Sequence, residues 1–187
     1  MNREWMKDME NNFDLFLRCL GEAGRRIDSH YIKLDVAGSA KQIYRERVYC
    51  YELYHQLRCV LGDCFPYELN GEIDKAGHHI IQKALGAKKP DLIVHVPGRM
   101  TKKYNLAVIE VKPVTVKDKP DKLRDDLKTL KGFLNEAHYH RAIMLIYGDG
   151  SCDLPQKIQT ELENFHEEHI LLVWHRGPGE MPVVVNR

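Results

Sequence analysis

The sequence predicts an α/β fold, a mixed central sheet flanked by helices, on three observations. Two runs rich in β-branched residues, 91–96 and 105–112, are joined by a short link, as in an antiparallel hairpin. The continuous apolar run 141–147 has the composition of a strand buried on both faces. Segments with apolar residues at helical spacing precede and separate these strands.

Along the chain, Trp5, Met6, Met9, Phe13, Phe16, Leu17 and Leu20 recur with helical period over 3–20, and Gly21 and Gly24 suggest its end. Residues 25–40 carry no clear period, and Gly38-Ser39 marks a break before the next helix, 41–61. On that helix Cys50, Leu53, Leu57, Val60 and Leu61 form one stripe, with Glu46 in line with them. A carboxylate on a buried stripe is costly unless something pairs or coordinates it. Glu46 therefore calls for an explanation more than Glu52, which falls on another face, although a helix start reaching solvent would also accommodate it.

Residues 66–74 alternate apolar and polar, interrupted by Gly71. After the 105–112 strand, Pro113 and Pro120 frame a lysine-rich loop. A helix over 121–136 follows, with Leu123, Leu127, Leu130 and Leu134 as its apolar stripe and Arg124, Lys128 and Lys131 on a neighbouring face. Beyond strand 141–147, residues 155–168 suit a helix, Ile170–Trp174 a core strand and 183–185 an edge strand. The order is α, α, β, β, β, α, β, α, β. A three-strand meander followed by crossovers gives a mixed sheet covered by helices.

At 187 residues the chain suits a single domain spanning 1–187. A helical extension (1–40) would precede a core (41–147), with a helix and strands (148–187) to follow. No apolar run approaches the roughly 18 residues of a membrane span. The charged N-terminus lacks a signal-peptide apolar region, and the expected location is cytoplasmic. Five cysteines, an odd number without a CxxC, signal neither a disulfide framework nor a zinc ribbon. Cys59 and Cys64 with His78-His79 have poor spacing for zinc. Net charge is only +1, but from Lys83 to Lys131 there are 13 Lys and Arg against 6 Asp and Glu.

That basic stretch brackets Pro90-Asp91 and Glu110-Val111-Lys112. Strand alternation puts Asp91, Ile93 and His95 on one face, and Val108, Glu110 and Lys112 on one face of the next strand. Hairpin pairing then sets Asp91 beside Glu110. Two carboxylates that close repel, and one takes up a proton unless a cation lies between them. A hard divalent ion, Mg²⁺ or Mn²⁺, suits oxygen ligands.

These residues and the αβββαβ order over 41–147 resemble the PD-(D/E)XK nuclease superfamily, with its restriction-endonuclease-like core. The resemblance implies that Asp91 and Glu110 hold the metal with the Val111 carbonyl, and that Lys112 is catalytic. It also implies a further acid from the preceding helix, Glu46 or else Glu52. A basic residue on the helix after Glu-x-Lys would be Lys128. Glu72, Asp74 and His78 have no counterpart in it.

The function expected is Mg²⁺-dependent endonucleolytic cleavage of DNA. Lys102, Lys103, Arg124, Lys128 and Lys131 would hold phosphates. Without a zinc finger or helix-turn-helix region, targeting falls to a homodimer, to substrate structure or to a partner protein. Restriction, anti-phage defence or mobile-element systems are the setting by analogy. An inactive module that binds nucleic acid or protein is the alternative. RNA is not distinguished from DNA as substrate, though Tyr44, Tyr49, Tyr51 and Tyr54 suit helix packing better than RNA stacking.

Overall fold

The computed structural model describes residues 4–71, 89–99 and 101–185. The first helix, α1 (Glu4–Arg25), runs past both glycines. Gly24 leaves room for a close contact: a Cβ there would overlap the ring of Pro182. Helix α2 (Ser29–Ile32) and a two-residue hairpin of β1 (Lys33–Leu34) and β2 (Ile43–Tyr44) occupy the stretch without a legible period. Helix α3 (Glu46–Leu61) therefore starts later than the apolar pattern suggests, with Glu46 in its first turn. Gly62, at φ 63°, closes it, a backbone conformation that favours glycine.

Strands β3 (Glu68–Gly71), β4 (Leu92–His95) and β5 (Asn105–Pro113) form the antiparallel meander. The last three residues of the 66–74 run lie outside the described residues. Helix α4 (Pro120–Asn135) begins with proline in its first turn, where a missing amide costs nothing. It returns the chain to β6 (Arg141–Tyr147), which pairs parallel with β5. Helix α5 (Gln156–Phe165) leads to β7 (Ile170–His175), parallel to β6, and β8 (Val183–Val184) closes the far edge antiparallel. Among the described residues the result is a mixed six-stranded sheet in the order β3-β4-β5-β6-β7-β8.

Helices cover both faces. On one, Phe13, Phe16 and Leu20 of α1 and Leu53 and Leu57 of α3 pack against Leu92, Val94, Ile109 and Val111. On the other, Leu123, Leu127, Leu130 and Phe133 of α4 and Ile158 of α5 pack against Ile93, Val108, Ala142 and Met144. The alternation read from the sequence is thus the alternation between two cores. Truncating any of these fully buried leucines to alanine costs about 2–5 kcal/mol. Among the described residues no helix is long and apolar enough to cross a membrane.

Candidate active site

Register places the site at one end of the sheet. Leu92 is paired with Ile109, so Asp91, one step before β4, comes level with Glu110. Asp91 Oδ2 accepts a 2.8 Å hydrogen bond from the Val111 amide. That bond fixes the carboxylate against β5 before the antiparallel ladder begins.

Lys112 points into the same space with its side chain 4% exposed. Its ammonium lies 3.2 Å from Glu46 Oε1, 3.5 Å from Glu110 Oε2, 3.6 Å from Asp126 Oδ2 and 3.8 Å from Asp91 Oδ2. It also donates to the Val111 carbonyl at 3.1 Å. The acids come from four places: the start of α3, the approach to β4, the end of β5 and the second turn of α4. At the rim, the Lys122 ammonium stands 3.9 Å from Glu46 Oε2.

The electrostatics record an excess of negative charge. Burial, then the adjacent Asp91 carboxylate, pushes the Glu110 carboxyl up to about 9, although Lys112 pulls the other way. Burial also raises Asp126 against the opposing pull of Lys112 and Lys122. For Lys112, burial works against the charged form, but Asp91, Glu110, Glu46 and Asp126 together more than offset it and hold the ammonium protonated. One buried cation thus faces more carboxylate charge than it neutralises.

The donor set fits a hard divalent ion in chemistry. It consists of carboxylate oxygens plus the Val111 carbonyl, and Asp126 Oδ2 is buried with no hydrogen-bond partner. In position the oxygens converge on the Lys112 ammonium. Among the described residues no group of three or more His, Cys, Asp or Glu side chains stands as a ready metal cage.

Of the two helix acids named from sequence, Glu46 reaches the site, whereas Glu52 accepts a 2.7 Å hydrogen bond from Gln56 along its own helix. His95 lies toward the other end of β4 and bonds Asn70 at 3.0 Å, a packed strand histidine. Lys102 and Lys103 form a 3₁₀ turn at the tip of the β4–β5 hairpin. They are separated from Glu110 by about 20 Å of strand. Arg124, Lys128 and Lys131 occupy the flank of α4 away from the site. Their partners are acids: Glu161 for Arg124 at 2.7 Å, Asp125 for Lys128 at 2.9 Å and Glu167 for Lys131 at 3.2 Å. Glu72, Asp74 and His78 lie outside the described residues, and Cys59 and Cys64 are free and exposed.

Asp126 is the site residue that the sequence reading missed. Its signal was present: it sits three residues after Leu123 and four before Leu130, at the margin of the apolar stripe rather than opposite it. Tyr147 is a second. It lies across from Pro113 in the β5–β6 register and stacks on Tyr49 at 3.9 Å, with a buried hydroxyl that has no hydrogen-bond partner. Burial, then Cys50 and Glu46, raises that phenol.

Comparison with known proteins finds no matching family model, no matching curated protein and no matching solved structure.

Proposed function

We propose that the chain is a metal-dependent nuclease with a restriction-endonuclease-like core, hydrolysing phosphodiester bonds in DNA. The observation that carries the proposal is the convergence of Asp91, Glu110 and Glu46 on Lys112 from three separate elements. Such a concentration of buried charge costs stability, and a catalytic role accounts for it. The succession of α3, the β3–β4–β5 meander, α4 and β6 supports the same core.

Asp91, Glu110 and the Val111 carbonyl would hold Mg²⁺ or Mn²⁺, with Asp126 as a further oxygen donor. A bound divalent ion polarises a phosphoryl oxygen and lowers the pKa of a bound water. Lys112 supplies positive charge to the phosphate oxygens as negative charge grows on them. Glu46 orients that ammonium through its 3.2 Å contact. The Val111 amide fixes the angle of the Asp91 carboxylate. On the flank of α4, Arg124, Lys128 and Lys131 would reach a phosphate by exchanging the acids they now pair with. Restriction, anti-phage defence or mobile-element systems remain the setting by analogy.

A second reading, an inactive module that binds nucleic acid or protein, is favoured by the ion pairing of all four acids with the Lys112 ammonium, which ties the elements together without any reaction. One assay separates the two. Purified protein is incubated with plasmid and short duplexes in Mg²⁺, Mn²⁺ or EDTA, beside Asp91→Ala and Lys112→Ala. Metal-dependent cleavage lost in both variants supports the enzyme. Binding that survives both substitutions, with no cleavage under any condition, supports the module.

A further inference from the structure

The outer face of α3 carries a pattern that the acid cluster does not use. Arg47, Tyr51, Tyr54 and Arg58 follow one another at spacings of four, three and four residues, which aligns them in one stripe. Arg47, Tyr51 and Arg58 are exposed and Tyr54 is half-buried. Tyr51 leaves 61% of its surface in water, the most among the exposed large hydrophobic side chains described. The helix packing anticipated for the tyrosines therefore holds for Tyr49, which is fully buried, and not for Tyr51.

Beside the Tyr51 ring opens a cavity of about 400 Å³, lined by Cys50, Tyr51, Tyr54, Asn70, Asp91 and Leu92 among others. That volume lies in the range of small-ligand sites. Two aromatic rings and apolar surface line it, and Asp91, a member of the acid cluster, forms part of its wall. A nucleobase offers the matching chemistry: a flat π-face for the tyrosines, joined to a phosphate. In a duplex both faces of each base are covered by its neighbours, so only an unpaired base can enter.

We infer that this stripe and cavity bind an unpaired DNA strand, one base stacking on Tyr51 and Tyr54 while Arg47 and Arg58 hold the flanking phosphates. The two arginines are eleven residues apart on the helix, about 16 Å, a span of a few nucleotides. Aromatic rings flanked by cations are a usual means of holding a single strand without reading its sequence. The phosphate beside the stacked base is thereby presented to Asp91. This last step rests on the nuclease reading; the binding does not. The substrate class becomes single strands, overhangs and flaps.

The test is a binding titration in EDTA, where no cleavage occurs, with a labelled single-stranded oligonucleotide of about a dozen residues carrying 2-aminopurine, and with its duplex. Anisotropy reports affinity and 2-aminopurine fluorescence reports stacking. The single strand binds more tightly than the duplex, with quenching. Tyr51→Ala weakens it about tenfold and removes the quenching, while Tyr51→Phe keeps both. Arg47→Ala and Arg58→Ala each lower the salt dependence of binding by about one counterion. Equal affinity for single strand and duplex, absence of quenching, or an unchanged Tyr51→Ala variant overturns the inference. Quenching that depends on Tyr51, without metal-dependent cleavage, upholds strand binding and removes the nuclease. Duplex cleavage with no effect of Tyr51→Ala does the reverse.

Discussion

Glu46 Oε1 lies 3.2 Å from Lys112 Nζ, an ion pair across 66 residues that ties the first turn of α3 to the end of β5. Glu46 keeps 30% of its side chain in solvent whereas Lys112 keeps 4%, so the lysine bears the larger burial cost. Lys112 is the one buried cation among these acids. Lys112→Met therefore leaves carboxylates facing each other, and the variant loses about 3 kcal/mol at pH 8. Urea unfolding measures it. An unchanged midpoint would mean that the cluster needs no internal cation.

Glu110 gives the opposite sign. Its folded-state pKa is raised from the ordinary 4.5 to about 9. The folded chain thus binds more protons than the unfolded chain between those values, and stability falls as pH rises through the window. Glu110→Gln mimics the protonated acid. At pH 8 in EDTA it is more stable than the parent by about 5 kcal/mol, and at pH 4 it is no more stable. Thermal melts at both pH values decide; a variant destabilised at pH 8 would refute the charge-excess account.

A separate acid sensitivity comes from β7. His175 is fully buried and its Nδ1 lies 2.7 Å from the Tyr49 hydroxyl. Burial lowers its pKa from 6.5 to about 4. Here the unfolded chain binds the extra proton, so this stability is present above about pH 6.5 and is lost as pH falls toward 4. The loss is about 3 kcal/mol. Unfolding of the parent and of His175→Gln across pH 4–7 should show the slope in the parent and a flatter profile in the variant. Equal slopes would contradict it.

The paired cations of α4 predict a null effect. Arg124 is engaged by Glu161 and Asp121, and Lys128 by Asp125, so under the nuclease proposal the Lys128→Ala variant changes DNA affinity less than twofold, the size of an exposed i,i+3 pair. Filter binding or anisotropy checks it. A tenfold loss would return this face to the nucleic-acid surface.

Sheet and helices were legible because their signals are strong: β-branched alternation in 105–112, the apolar run 141–147 and the leucine stripe of α4. The β1–β2 hairpin was not, since two-residue strands leave no period. Gly21 and Gly24 suggested a helix end because glycine disfavours helix, yet packing against Pro182 requires the absence of a side chain at Gly24. At the site, strand alternation correctly put Asp91 level with Glu110, and the α3 wheel picked Glu46. Asp126 escaped because a half-buried acid at a stripe margin looks like any surface aspartate until Lys112 is seen beside it. The partners of the basic residues were not legible, because a charge count ignores them: Lys131 and Glu167 are 36 positions apart in sequence but 3.2 Å apart in space.

The nuclease proposal requires that this cluster accept a divalent ion in place of its reliance on Lys112. Titration with Mn²⁺ followed by electron paramagnetic resonance measures that directly. Saturable binding is expected in the parent chain, weakened by at least tenfold in both Asp91→Asn and Glu110→Gln, on the scale of removing a charged ligand. Absence of saturable binding, or binding that neither substitution changes, would contradict it.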